Sequence, residues 1–391
     1  MTDVEEPIGE AASIEIPQQP AVLAELPVFE PDIEVTIDNE NVGPYRGRKL
    51  FLEDAQSFFG VTSDQIFIGR VVLSFTNYLG DKRVIANVAA VDSLSDFDIA
   101  YVNLKNRWQW SARVFDQRLY RTFRNPGDFD RIERDQAIQY TGASFSMIYP
   151  LSFHRRFEVG ASYNYRDFDV FGTFVSTAGT VFPFFPRSDD YPELNAAFVS
   201  DTTIFNPWGA ISGHRLRLSA SYAPDLDESG SLTSTVSLDV RKYVPLTRRS
   251  NLAFRAVAFS STGNFPDFVS LGGLDTVRGF DIYEFSGHRG FYGNAEIRFP
   301  LIDQLSFPFL QFQGVRGVVF FDIGGSWFKN DSFQFWNGDE SQLEDAIAAY
   351  GWGLTARFLG VNLNWDFAQR TRFAEDENEE FVTNFWIGAR F

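Results

Sequence analysis

Leu271-Gly272-Gly273-Leu274-Asp275-Thr276-Val277-Arg278-Gly279-Phe280 is a glycine-rich loop carrying one arginine. Shortly after it comes Gly290-Phe291-Tyr292-Gly293-Asn294-Ala295-Glu296-Ile297-Arg298-Phe299-Pro300, which alternates cleanly. Phe291, Gly293, Ala295, Ile297 and Phe299 share one face; Tyr292, Asn294, Glu296 and Arg298 share the other. A period of two with one apolar and one strongly polar face defines a strand between two different media. In a soluble sandwich the polar face would meet bulk water, and in a membrane barrel it would line a lumen. The surrounding chain decides between them.

The 391 residues include 43 Phe, 14 Tyr and 8 Trp but only 2 Met. There is no Cys, which excludes disulfides, thiolate catalysis and Cys-based metal sites. Mean hydropathy is slightly negative, and no run approaches the ~18 apolar residues of a spanning helix. Abundant aromatics diluted by alternating polar residues are the composition of a transmembrane β-barrel. The net charge of −18 is uneven, because residues 1–45 hold eleven acidic residues and no Lys or Arg. That stretch reads as a disordered periplasmic tail or linker, and the acidity argues against nucleic acid as a partner. No basic start or apolar core marks a signal peptide, so the chain reads as processed or truncated.

From residue 46 onward the texture is short alternating segments of the length that crosses a bilayer as a tilted strand. Trp108, Trp110, Ala112 and Val114 alternate with Gln109, Ser111 and Arg113, and Val361, Leu363, Trp365 and Phe367 with Asn362, Asn364 and Asp366. Such segments fall near 46–58, 65–77, 82–92, 97–106, 108–120, 137–150, 155–167 and 190–202. They continue near 215–225, 231–243, 250–261, 289–300, 314–327, 349–358, 361–370 and 381–391. About sixteen strands, an even number, predict an antiparallel barrel over 46–391. Connections after even strands are mostly short, with exceptions near 203–214 and 301–313, whereas those after odd strands include the long ones. Short periplasmic turns and long surface loops place both termini in the periplasm and the glycine-rich stretch in the sixth surface loop. The loop near 168–189, with Phe182, Pro183, Phe184, Phe185 and Pro186, is apolar enough to pack on the rim or to meet a partner or lipid.

Four stretches carry a resemblance: Val277-Arg278-Gly279-Phe280, Asn294 to Pro300, Val319-Phe320-Phe321-Asp322-Ile323-Gly324-Gly325-Ser326-Trp327, and Phe385-Trp386-Ile387-Gly388-Ala389-Arg390-Phe391. In this order they resemble the BamA-like superfamily of barrel-assembly factors, two-partner secretion translocators and bacterial surface antigen barrels. The resemblance implies that the sixth loop folds into the lumen and that Arg278 pairs with a carboxylate on the wall. Period two puts Arg316, Asp322 and Gly324 on the lumen face and Val319, Phe321 and Ile323 in lipid, so Asp322 is the expected acceptor. Glu296 and Asp366 are candidate secondary acceptors, and Gly279 lets Phe280 and its neighbours approach the wall closely. The ending, with Phe385, Ile387, Ala389 and Phe391 on the lipid face, resembles the family's sorting signal, carried here by Phe385, Ile387, Gly388 and Phe391. By the same resemblance the first and last strands meet at a weak seam.

Family members that assemble or secrete proteins carry periplasmic POTRA domains, and none precedes this barrel in the sequence. Leu73 to Asp81 and Leu104 to Trp110 more closely resemble members whose barrel follows a Tol-type β-propeller. Two functions stay open: insertion or translocation of proteins or other hydrophobic cargo, or a passive pore or scaffold with a permanently plugged lumen. Expected partners are outer-membrane lipid and lipopolysaccharide, the assembly machinery for its own insertion, and a periplasmic protein bound through the 1–45 tail. No cofactor or metal is implied. His154 and His214 fall in predicted turns and His288 in the sixth loop, none with a spaced Ser and acid, so no hydrolase triad can be drawn. Asp189-Asp190 and the run Glu375 to Glu380 read as solvated loop carboxylates.

Overall fold

The computed structural model describes residues 49–391 apart from 62–66, 92–93, 121–122, 125–131, 134–136, 169–171, 227, 308–309, 313, 359–360, 375–379 and 388–389. The acidic tail, the start of the expected first strand, Gly388 and residues 375–379 lie outside the described residues.

Sixteen long strands run in chain order as one antiparallel meander. They are β1 (Phe51–Val61), β2 (Phe67–Thr76), β3 (Lys82–Val91), β4 (Leu94–Asn103), β5 (Gln109–Tyr120), β6 (Ala137–Ser152), β7 (Arg155–Phe168) and β8 (Arg187–Asp201). The second half is β9 (Gly209–Pro224), β10 (Ser231–Pro245), β11 (Asn251–Thr262), β12 (Arg289–Ile302), β13 (Val315–Trp327), β14 (Ile347–Phe358), β15 (Val361–Thr371) and β16 (Val382–Ile387). Each pairs with its sequence neighbours, and among the described residues no ladder joins β1 to β16. Among the described residues the outer edges of β1 and β16 are therefore without a strand partner.

Alternation explains why these segments are strands and which way they face. On β13, Val318, Phe320 and Asp322 are buried while Val319 is 48% exposed; on β14, Tyr350 and Trp352 are exposed while Ala349 is buried. Phe97, Ile99, Phe145, Phe157, Leu218, Val236, Phe254, Ile297 and Phe385 project outward in the same manner. So continuous an apolar outer surface suits hydrocarbon rather than water. Aromatic pairs such as Trp108–Tyr149 and Trp327–Phe333, with ring centroids 4.7 and 4.5 Å apart, occur near opposite strand ends, as in an interfacial belt.

The sheet curls on itself. Phe391, beyond β16, packs against Ala210, Tyr243 and Ala253 of β9, β10 and β11. The loop between β7 and β8 reaches β13, where Thr177 donates through N–H and Oγ1 to the Ser326 carbonyl at 3.1 and 3.0 Å. This loop is a small hairpin, Gly172–Val175 with Val181–Phe184. Its Phe174 and Phe182 join Phe268 of the sixth loop, Phe328 of the seventh and Ile138 in one apolar cap, whereas Phe185 stays exposed.

Several expectations are corrected. The segment expected at 203–214 is largely strand: Ile204–Asn206 pairs with the start of β9, so His214 lies in β9 rather than in a turn. A bulge causes the misreading: Ile204 pairs with Ser212 but Phe205 with Ala210, so Ile211 is an extra residue that interrupts the period of two, and Gly213 beside it has φ +99°. The segment at 301–313 likewise contains the hairpin Leu305–Phe307 with Leu310–Phe312. Asp189 and Asp190 belong to β8, where Asp189 pairs with Arg166 and Arg187. The last strand ends at Ile387: Phe385 and Ile387 face outward, but Phe391 turns inward, drawn by the lumen arginines described next.

Candidate functional site

The sixth loop descends from β11 into the lumen and returns to β12. Asp267 pins its descending arm, accepting from Thr233 and Thr235 of β10 at 3.1 and 2.7 Å. Arg166 of β7, fully buried and stacked 4.1 Å over the Phe265 ring, lies 3.6 Å from the same carboxylate. Below this, Val269–Leu271 pairs with Phe285–Gly287. The tip, 272–284, is tied internally by Thr276 Oγ1 to Gly272 and by the Gly273 N–H to the Phe280 carbonyl, 3.0 Å. Leu271 and Val277 pack on Tyr292, Ile347 and Ala349, so the loop's apolar side is seated on the wall.

Arg278 sits at the bottom of this loop, 2% exposed. Nε donates to Asp322 Oδ2 at 2.6 Å and Nη2 to Oδ1 at 2.8 Å, a fork-on-carboxylate pair, and the Arg278 backbone N–H adds a bond to Oδ2 at 3.2 Å. Nη1 is 2.7 Å from Glu296 Oε1, and the guanidinium lies 3.5 Å over the Phe320 ring. Asn294 joins loop to wall, donating to the Thr276 carbonyl at 2.6 Å and to Asp322 Oδ1 at 2.9 Å. Gly279 has φ +87°, and a Cβ would lie 3.3 Å from Ala368 Cβ, so backbone conformation and close approach both favour glycine. The Gly279 carbonyl accepts from Arg370 Nε at 2.7 Å, and the Arg370 guanidinium covers the Phe280 ring at 4.6 Å.

Arg278, Gly279, Phe280, Asp322 and Glu296 are thus gathered in one place. Asp366 does not bond Arg278. It accepts from Arg390 at 2.5 and 3.1 Å and from Trp386 Nε1 at 2.9 Å. Glu296 bridges the two groups: Arg298 Nε donates to its Oε2 at 2.7 Å, and Arg390 Nη1 lies 3.9 Å from its Oε1. Arg298 also donates to the Phe391 backbone oxygen at 2.8 Å and stacks on its ring at 4.9 Å, which explains the inward turn of that residue. Three guanidiniums and three carboxylates therefore form one connected, nearly dry network. Sequence reasoning placed Arg298 on the lumen face but overlooked Arg390. The period of two that put Phe385 and Ile387 outward puts Arg390 inward, so the signal was there.

The arrangement is structural electrostatics. Every oxygen of the three carboxylates has a cationic or N–H donor, which leaves none free to act as a base. Among the described residues no His, Asp and Glu cluster could hold a metal. His288, packed among Phe182, Phe268 and Phe328 in the cap, has its pKa pushed down to about 4 by burial and by the nearby Lys329.

An antiparallel sixteen-strand barrel with an apolar exterior and an arginine-anchored loop in its lumen defines an outer-membrane β-barrel of the internally plugged kind. The chain belongs to the Omp85 superfamily, whose domain model matches residues 95–391. Among solved structures it is similar to BamA from Haemophilus ducreyi lacking POTRA domains 1–3, with TM-score 0.56 and 12% identity over 86% of this chain and 75% of that one. It is also similar to CdiB from Acinetobacter baumannii, with TM-score 0.47 and 14% identity over 86% of this chain and 58% of that one. CdiB from Escherichia coli gives 0.49 and 14% over 86% and 67%. Among curated proteins none matches.

Proposed function

We propose that this barrel assists the insertion or translocation of proteins or other hydrophobic cargo across the outer membrane, without catalytic chemistry of its own. One observation carries this reading. Among the described residues β1 and β16 each have an unpaired edge while the lumen is filled and charge-locked, so the route of least resistance is a seam between them rather than the pore. An open strand edge is a template for another strand, and proteins normally protect such edges. Membership of the Omp85 superfamily supports the same reading. In this account the short turns and both termini face the periplasm, and residues 1–45 form an acidic linker to a periplasmic partner that delivers cargo. The Arg278–Asp322–Glu296 lock holds the loop while the seam works, and the β16 end serves as the signal for the barrel's own assembly.

Reconstitution tests this. Vesicles containing the chain are given an urea-unfolded outer-membrane barrel, and its folding is followed by gel mobility without heating. Faster folding than in empty vesicles supports the reading. Unchanged folding together with a stable, steady single-channel conductance would replace it with a passive pore; unchanged folding with no conductance would leave a plugged scaffold.

A further inference from the structure

On the outer face of β10 to β13 a groove of about 330 Å³ crosses four strands along two adjacent rows of paired residues, Val240–Ala256–Gly293–Ile323 and Lys242–Phe254–Ala295–Phe321. Its floor is made of small residues, Ala256, Gly293 and Ala295, and its sides of Val240, Phe254, Phe321 and Ile323. A Cβ on Gly293 would meet nothing closer than 3.6 Å, so the depth of the groove comes from missing side-chain volume rather than from backbone crowding. At one end stands Lys242, exposed, on the same outward row as Val236 and Val240. Lys242 has no ion pair or hydrogen bond among the described residues, whereas its lumen-facing neighbour Arg241 is bonded to Asp239.

A lone ammonium on a lipid-facing row is costly near the bilayer centre unless it reaches the headgroup level. Lys242 lies three residues before the end of β10, beside the short turn 246–250, which puts it at that level. The other charged side chain on the outward rows of these four strands is Arg289, at the far end of β12. An apolar channel ending at an unneutralised cation has the shape and charge of one lipid: an acyl chain along the floor and a phosphate at the ammonium. We propose that the β10–β13 groove is a binding site for a single anionic phospholipid, held by Lys242 at its phosphate and by Ala256, Gly293 and Ala295 along its chain.

Native mass spectrometry of the full chain released from nanodiscs tests this. The discs hold phosphatidylethanolamine with a minority of phosphatidylglycerol, and folding of every variant is verified by gel mobility without heating. Wild type retains one phosphatidylglycerol in preference to phosphatidylethanolamine. Lys242→Gln reduces that preference about fivefold, the equivalent of about 1 kcal/mol for one lysine near an anionic surface. Gly293→Leu, which fills the floor, lowers retention of both lipids. Unchanged preference in Lys242→Gln, or unchanged retention in Gly293→Leu, would overturn the site. Stronger retention of lipid A than of phosphatidylglycerol, in discs offering both, would also overturn it.

Discussion

Replacing Arg278 by Met removes the cation shared by Asp322 and Glu296 while keeping most of the side-chain volume over Phe320. The two carboxylates fare differently. Glu296 keeps Arg298 at 2.7 Å, but Asp322, fully buried, is left with Asn294 and the loop N–H. Removing one partner of such a pair leaves an uncompensated buried charge, so a loss of about 3–5 kcal/mol is expected. Asp322→Asn alone leaves Arg278 with Glu296 at 2.7 Å and should cost less, about 1.5–3 kcal/mol. In the double variant the stranded carboxylate is gone, so the two losses must not add: a coupling on the order of 2 kcal/mol is predicted. Urea unfolding in detergent, followed by tryptophan fluorescence, measures all four corners of the cycle. Additive losses would show that Arg278 and Asp322 do not stabilise one another, and the lock would have to be abandoned.

Three other outcomes follow from the same geometry. Gly279→Val forces a β-branched residue to a φ of +87° against Ala368 and should cost about 1–3 kcal/mol, read as faster protease cleavage of the loop tip. His288 is held neutral in the folded cap and titrates near 6.5 when unfolded, so the unfolded state takes up the proton first. Cap stability is then full above about 6.5 and falls as pH drops toward about 4, with no further loss from this group below that. Hydrogen exchange of 285–288 should show this dependence in wild type and lose it in His288→Phe. Arg390→Gln removes a forked pair with Asp366 and should raise hydrogen exchange along β16 while leaving β12–β13 protected.

Much of the molecule is legible in one dimension because a barrel strand must alternate wherever lipid meets lumen. All sixteen strands were readable for that reason, to within a few residues at most ends, and so were the opposite faces of Val319 and Asp322. Legibility failed where the period breaks or where a side chain answers to a distant partner. A bulge at Ile211 hid the start of β9. Phe391 carries the outward parity of its strand, yet Arg298 on β12 holds its carbonyl and ring inside. Phe320 is an aromatic on the polar face, an oddity that becomes sensible only beneath the Arg278 guanidinium. Asp366 looked like a reserve acceptor for Arg278 because both are lumen residues; Arg390, which the parity of its own segment turns inward, occupies it instead.

The seam is the part of the account on which function depends. Because the chain has no Cys, cysteine pairs scanned along 53–57 of β1 and 383–385 of β16 would be the only thiols present. The decisive measurement is folding assistance by vesicles holding such a bridged barrel, before and after reduction. The expected result is loss of assistance while the strands are bridged and its return once the bridge is cut. Equal assistance in both states would contradict a working seam.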